Sequence, residues 1–443
     1  MLDNILKKIE RFVPAKHRWI FGHEGVRRYF ANTGWLFLGQ IFFLLLSFFI
    51  GAWIARYLGP EKYGIVSYVV AFAGLFSFIA NLGVDGILHR ELVSQPEKRD
   101  ELLGTSFRLK LWGGSIALIL VAVAAFLFGG GPYTTALIIL YALSFFLQAP
   151  LILITYFYSQ VKAKQAIKAQ FVAAIISSLL KIGLILTGGG ILALIIIYIL
   201  DSLWQSLMLI KFYKDAGLKI SAWQFKPGLA RRIWHDSWPL MLSSAAAFIY
   251  LRIDQVMVGQ ILGEEAVGIY AAGVKLTEVF YFIPGVICGS LFPAIVNARK
   301  TSSALYYSRL KKLYIFLGFL GLAVAAPVAF LAKPIISFIF GNAYLGAVSV
   351  LQIYIWSSIS LFLGTVVGHQ LMAENRTRSV FLLNFIAMIV NVVLNLVFIP
   401  KLGLIGAAVA TLIAYTTIPL IMLFLPKKDN SDLVPKNLNL INS

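Results

Sequence analysis

The segment LGPEKYGI at residues 58–65 has a second copy, LGEEAVGI, at residues 262–269, which is 204 positions further along the chain. The copies agree at Leu, Gly, Glu, Gly and Ile, and Phe76 and Phe78 also align with phenylalanines at the same offset. Each copy lies between two long apolar runs. The repeat therefore predicts a chain built from two similar halves, in which each copy connects the first and second helices of its half.

The composition indicates which class of protein contains this repeat. Of the 443 residues, 60% are hydrophobic and 13% are charged, whereas soluble domains are about 45–50% apolar and about 25% charged. So few charged residues cannot cover a water-soluble surface of this size. The sequence predicts a polytopic membrane protein, and its single cysteine, Cys288, excludes a disulfide-rich secreted scaffold.

The apolar runs have the length of membrane spans, since a helix needs about 20 residues to cross about 30 Å of hydrocarbon. Twelve runs qualify: 33–55, 63–86, 111–128, 135–158, 169–187, 191–210, 238–260, 267–295, 314–340, 345–371, 379–399 and 404–425. The connections between them are too short to hold a soluble catalytic domain.

Basic residues predict the orientation of these spans. Alternate connections, counted from the N-terminus, carry 31 Lys and Arg residues, and the opposite set carries 4. Because basic loops stay in the cytoplasm, both termini are expected there. The net charge of +19 does not indicate nucleic-acid binding, because orientation and anionic lipid headgroups already account for these basic loops.

The predicted fold is an all-α integral membrane protein with twelve transmembrane helices in two six-helix bundles. Its segments are a cytoplasmic N-terminal segment (1–32, an amphipathic interfacial helix or a basic tail), an N-terminal lobe (33–210), a cytoplasmic linker (211–237), a C-terminal lobe (238–425) and a cytoplasmic tail (426–443). Because helices one and seven run the same way, the repeat is parallel and its axis lies along the membrane normal. Transporters often bind substrate between two such halves.

The stretch ARYLGPEKYG at residues 55–64, with LGVDGI at 82–87 and REL at 90–92, resembles the start of the polysaccharide-unit flippases. These are the Wzx-type (O-antigen) members of the multidrug/oligosaccharidyl-lipid/polysaccharide exporter superfamily. RIDQ at 252–255 and NLVFIP at 395–400 are similar to the second half of the same family. The resemblance therefore covers essentially the whole chain.

This resemblance implies transport of a lipid-linked oligosaccharide, typically on a polyprenyl diphosphate, from the cytoplasmic to the outer leaflet of the cell membrane. It also implies alternating access, with two six-helix lobes around a central cavity. The expected partners are this substrate and membrane lipids, and other polysaccharide-assembly membrane proteins are candidates. No cofactor, metal or nucleic acid is expected.

Charged residues inside spans mark the candidate site, because each costs about 2.5–3.5 kcal/mol at a helix centre. We expect three cations, together with one at the end of the first span, to contact the substrate, since arginine in particular suits phosphate: Arg252, Lys275, Lys181 and Arg56. We expect a carboxylate to couple transport to protons or Na⁺, with three candidates: Asp254, Glu278 and Asp201.

The alternative is that these charges form structural ion pairs. Lys275 and Glu278 are three residues apart on one helical face, and Lys181 and Asp201 lie on adjacent helices. Arg252 and Asp254 are two residues apart, about 200° around a helix, so at least one of them must face elsewhere. A stripe on helix eleven is expected to form interhelical hydrogen bonds: Asn384, Asn391 and Asn395.

Two other functions remain open. A multidrug or cation antiporter of the same superfamily would favour acidic over basic cavity residues, which the three cations within spans oppose. A membrane-embedded glycan polymerase or ligase would need a sizeable outer loop, and every outer connection is about ten residues or fewer. The chain has no Walker A loop and no cluster of cysteines or histidines, which argues against an ATP motor or a metal enzyme.

Overall fold

The computed structural model describes residues 24–425, so the predicted tail (426–443) and most of the predicted N-terminal segment (1–32) lie outside the described residues. Within this range the chain is helical and forms no β-strand. The α-helices are α1 (Glu24–Gly74), α2 (Ser77–Asn81), α3 (Val84–Ser94), α4 (Arg99–Phe128), α5 (Pro132–Ala142), α6 (Ser144–Leu147), α7 (Ile152–Ser159), α8 (Ala163–Leu186), α9 (Ile191–Asp215), α10 (Pro227–Leu262), α11 (Glu264–Glu278), α12 (Phe282–Thr301), α13 (Ser303–Phe330), α14 (Ala332–Ile339), α15 (Ala347–Tyr354), α16 (Ser357–Ala373), α17 (Thr377–Leu402) and α18 (Leu404–Phe424).

Eleven helical segments in the described range are long and apolar enough to cross a membrane. The first, Gly34–Gly74, contains two arms, because α1 bends at Gly59. Counting the arms separately gives the twelve spans that the sequence predicts. The all-α, multi-pass membrane architecture is therefore confirmed.

The bend in α1 has a local cause that the repeat reproduces. Gly59 has φ 73° and ψ 172°, a conformation that glycine adopts without a Cβ penalty, and Pro60 then starts the second arm, where its missing N–H costs nothing. At the equivalent position, 204 residues later, Gly263 separates α10 from α11 with φ 90° and ψ 177°. The two copies therefore form the same helix–glycine–helix turn.

The two turns also pack against each other. A Cβ at Gly64 would overlap the carbonyl oxygen of Glu264, and a Cβ at Gly268 would overlap that of Pro60. Because 60 and 264, and 64 and 268, are repeat-related positions, each copy makes the same contact on the other with the roles exchanged. Only glycine at both positions allows the two helix backbones to approach this closely.

The chain divides into two compact units. Unit 1 comprises the described residues up to 54 and residues 76–244, and unit 2 comprises residues 55–75 and the described residues from 245 onward. The turn at 58–65 thus belongs to unit 2, although its sequence lies in the first repeat. The lobe boundaries expected from sequence, 33–210 and 238–425, stay a prediction.

Each unit has its own buried core. In unit 1, leucines of α3 and α4 pack with Phe157 and Tyr213, which are at most 1% exposed. In unit 2, Cys288 is fully buried in a cluster that joins α12, α13 and α16. This cysteine therefore packs in the core of unit 2.

The ninth predicted span, 314–340, has the wrong limits. The structure has α13 at Ser303–Phe330 and a separate short helix, α14, at Ala332–Ile339. The apolar run continues through both helices because α14 is also rich in apolar residues, so hydropathy alone does not show the break at Leu331.

Candidate functional site

A hydrogen-bonded polar network lies in the interior of unit 2, around Asp254 on α10. This carboxylate is 1% exposed. Its Oδ2 accepts hydrogen bonds from the hydroxyls of Tyr270 on α11, at 2.6 Å, and Thr411 on α18, at 3.3 Å. Its Oδ1 accepts from the backbone N–H of Gln255 at 2.8 Å. Three helices therefore converge on one carboxyl group.

The network continues onto α17 through the asparagine stripe. Asn391 donates to Thr411 Oγ1 at 3.3 Å, and Asn395 donates to Asn391 Oδ1 at 3.0 Å. Both asparagines are fully buried. The predicted interhelical hydrogen bonding is confirmed for Asn391, whereas Asn384 lines a nearby cavity instead.

No basic side chain contacts this network directly. Among the described residues, no Lys, Arg or His forms a salt bridge with Asp254, although Arg252 attracts it through space, and the buried Oδ1 of Asn395 has no hydrogen-bond donor. A buried ionised carboxylate without a direct ionic partner is costly. A proton or a bound cation would lower this cost, and the neighbours of Asp254 supply the oxygen atoms that hard cations prefer.

A charged pair in this unit joins Arg252 and Glu278. Arg252 Nη1 lies 3.1 Å from Glu278 Oε1, and the two side chains are 40% and 29% exposed. The local pair between Lys275 and Glu278, one of the alternatives that the sequence left open, does not form, because Glu278 pairs with Arg252 on α10 rather than within its own helix. Lys275 is half-buried and forms no ion pair with any described residue. Arg252 and Asp254 face different partners, as their spacing predicted.

A row of tyrosines lies beside the charged pair and the polar network. The rings of Tyr270 and Tyr354 are 6.2 Å apart, and those of Tyr354 and Tyr415 are 6.4 Å apart. Tyr415 contacts Tyr250 edge to face, with centroids at 5.3 Å. Tyr270 is the residue that hydrogen-bonds Asp254, so the row runs from the carboxylate to Tyr250.

The remaining predicted site residues lie elsewhere. Lys181 and Asp201 form a salt bridge of 2.8 Å in unit 1, and Lys181 also lies over the ring of Tyr198. This pair was one of the alternatives that the sequence left open. Arg56, in unit 2, donates to the carbonyl of Phe338 at the end of α14.

Sequence reasoning missed several participants. The sequence assigned no role to Tyr270 or Thr411, and only the three-dimensional fold brings them to Asp254. The sequence also gave no sign of one ion pair in unit 1. Lys110, whose side chain is 5% exposed, lies 2.7 Å from Asp85. The asparagine spacing of four, which places Asn391 and Asn395 on one face, was the usable signal for the polar network.

Two protein-family models match long segments of the chain. Residues 29–299, more than half of its length, match the family described as polysaccharide biosynthesis protein. The chain belongs to this family. Residues 187–438 also match the model described as lipid II flippase MurJ. The flippase resemblance expected from the sequence is therefore confirmed.

A relative of known sequence supports the same family assignment. The chain is 24% identical over 397 residues to the probable low-salt glycan biosynthesis flippase Agl15 of Haloferax volcanii, which covers 86% of this chain and 79% of the relative.

Two solved structures show the same fold. An inward-facing multidrug resistance MATE family transporter of the MOP superfamily has a TM-score of 0.69 at 16% identity, over 86% of this chain and 93% of that chain. Lipid II flippase MurJ in an inward closed conformation has a TM-score of 0.65 at 18% identity, over 87% of this chain and 86% of that chain.

Proposed function

We propose that this chain is a flippase that moves a polyprenyl-diphosphate-linked oligosaccharide from the cytoplasmic to the outer leaflet of the cell membrane by alternating access. Its membership of the polysaccharide biosynthesis protein family and its similarity to a glycan flippase support this function. The basic loops support an inner-membrane orientation with both termini in the cytoplasm, and the chain transports rather than catalyses. Other polysaccharide-assembly membrane proteins are candidate partners.

The observation that carries the proposal is the partly exposed Arg252 in the middle of a membrane helix. It lies ten residues before the end of α10 at Leu262, and its side chain is 40% exposed although Glu278 pairs with it. A guanidinium has five donors, so an arginine held by one carboxylate can still bind a phosphate. Lys275, without an ion pair, adds a second cation nearby on α11, the helix that carries Glu278.

Asp254 is the proposed coupling carboxylate. Its network of buried oxygens can take up a proton or a Na⁺ ion from one side of the membrane and release it on the other. A bound cation would place a positive charge in direct contact with Asp254, where no described residue forms a salt bridge with it. Glu278 and Asp201 are weaker candidates, because each already pairs with a basic side chain. The same pairing makes Lys181 a weaker substrate cation.

The antiporter alternative fits the MATE fold equally well. The cations distinguish the two functions, because the unpaired Lys275 and the partly exposed Arg252 disfavour a site for an organic cation. The glycan enzyme alternative still lacks a domain, since the segments between the described spans are short.

Variants of Arg252 test the proposal in a host whose own flippase is deleted. Arg252→Ala should abolish glycan export at a normal level of the protein in the membrane. Arg252→Lys should keep part of the export, because lysine keeps the charge but cannot make the bidentate phosphate contact of arginine. The swap Arg252→Glu with Glu278→Arg preserves the pair but moves the cation. If the swap exports glycan normally, the pair is structural and the phosphate role is wrong. If Arg252→Ala itself exports normally, Arg252 plays no part in transport.

A further inference from the structure

A partly open cavity of about 290 Å³ lies in unit 2, next to the tyrosine row. At about 30 Å³ per water molecule, it has the room of roughly ten waters. This volume accommodates one six-membered sugar ring, and further rings of an oligosaccharide would extend through its open side. The cavity is walled by residues of α10, α16, α17 and α18 and by Tyr281, which precedes α12.

Glycines keep this space open. Gly364 and Gly368 are four residues apart and therefore lie on one face of α16, and both line the cavity. A Cβ at Gly368 would meet no atom within 4 Å, and one at Gly364 would meet only Ile418, at 3.7 Å. Larger residues would fit the fold here but would occupy the cavity.

The lining combines aromatic rings with a polar group that has no protein partner. Tyr250, Tyr281 and Tyr415 contribute three rings. The half-buried amide of Asn384 faces the cavity and makes no hydrogen bond with a described residue. Because amide groups inside a protein are normally hydrogen-bonded, this amide points to a ligand that offers hydroxyl groups.

The charge of the lining limits the ligand further. None of the residues around the cavity is acidic or basic, so neither a phosphate nor a uronic acid finds an opposite charge there. A polyprenyl chain would leave the Asn384 amide unsatisfied. A neutral sugar suits both features, because its C–H faces pack on aromatic rings and its hydroxyls donate to and accept from amides.

We propose that this cavity is a subsite for one neutral sugar ring of the transported glycolipid, an inference that rests on the proposed flippase function. The tyrosine row connects it to the ion network, since Tyr250 and Tyr415 line the cavity and Tyr270 binds Asp254. A sugar in the cavity therefore contacts the same aromatic row that positions the coupling carboxylate.

The test compares two kinds of lipid with the full chain in proteoliposomes. One is a polyprenyl diphosphate, and the other is the same lipid carrying a single glucose, galactose, N-acetylglucosamine or N-acetylgalactosamine. A membrane-impermeant reagent measures how fast each headgroup crosses the bilayer. For at least one sugar we expect the wild type to move the sugar-bearing lipid about tenfold faster, which corresponds to about 1.4 kcal/mol.

Two variants change the site in opposite ways. Gly368→Leu fills the cavity, and Asn384→Ala removes its free amide without filling it. Each should bring the ratio of the two rates close to one. The control is Gly289→Leu on α12, an exposed glycine whose Cβ would meet no atom within 4 Å, and it should keep the wild-type ratio.

The outcomes separate the two proposals. If the wild type moves none of the lipids, the flippase function fails and the subsite fails with it. If it moves all of them with ratios near one, or if both site variants keep the wild-type ratio, the function stands and the sugar subsite is wrong. If Gly368→Leu slows both lipids equally while Asn384→Ala changes nothing, the cavity serves packing or the lipid chain, and the sugar assignment is overturned.

Discussion

A methyl group at Gly64 should open the contact between the two repeated turns. In Gly64→Ala the new Cβ would overlap the Glu264 carbonyl oxygen and lie 2.9 Å from the backbone nitrogen of Gly268. Ordinary van der Waals contact begins near 3.4 Å. The two helices must therefore separate by at least about half an ångström, and more at the carbonyl.

The size of the effect follows from the kind of atom that is in the way. Overpacking costs about 1–3 kcal/mol, and the upper end applies because backbone atoms cannot swing aside as a flexible side chain does. A cost of about 3 kcal/mol lowers the ratio of the packed to the separated arrangement by about 150-fold. Gly268→Ala should do the same, since its Cβ meets the equivalent atoms of Pro60 and Gly64.

Spin labels at the exposed positions Glu61 and Glu265 measure this contact directly. Double electron–electron resonance should show one short distance in the parent protein and a longer, broader distribution in Gly64→Ala. Gly74→Ala is the matched control, because its Cβ would meet nothing within 4 Å. An unchanged distance distribution in both Gly64→Ala and Gly268→Ala would refute the close approach of the two turns.

Three further predictions concern single contacts. Asp254→Asn keeps the shape of the side chain but not its charge. Transport in proteoliposomes should therefore lose its response to an applied pH or Na⁺ gradient, at an unchanged protein level. A retained response would show that Asp254 does not couple transport to the gradient. Lys181→Met leaves Asp201 without its partner and should lower the free energy of unfolding by about 1–3 kcal/mol. The double variant Lys181→Met with Asp201→Leu should have nearly the wild-type free energy of unfolding and should still transport. Loss of transport in that double variant, with stability restored, would give the pair a role in substrate binding. Tyr344→Phe removes a hydrogen bond of 2.6 Å to the Ala55 carbonyl and should lower the free energy of unfolding by about 1 kcal/mol. The measurement is the unfolding midpoint in detergent, and an unshifted midpoint would mean that this bond is not formed in the protein.

The architecture was predictable because it depends on patterns that are local in sequence. Apolar runs of span length and the copy at offset 204 gave the helix number and the two turns. The ion network was less predictable, because Asp254, Tyr270 and Thr411 come from three helices and only packing brings them together. The partner of Glu278 was hidden for the same reason. Spacing left a pair with Lys275 on the same helix open, but α10 places Arg252 within reach.

The repeat is symmetric in structure and asymmetric in chemistry. The turns at Gly59 and Gly263 share their backbone conformation and make reciprocal contacts. At the same offset, however, the aligned positions of the first half are uncharged. Arg252, Asp254, Lys275 and Glu278 of the candidate site align with Phe48, Ile50, Ala71 and Gly74. The first half therefore keeps the turn geometry without ionisable groups at these four positions.

This asymmetry links the proposed coupling site to the turn contact through one helix. Gly268, which packs on Pro60, and Tyr270, which binds Asp254, are two residues apart on α11. A ligand shifts a conformational equilibrium only by its difference in affinity between two states. An ion at Asp254 that requires the present orientation of α11 favours the packed turns, and its loss removes that preference. The polar groups of one half can thus bias a contact that both halves form.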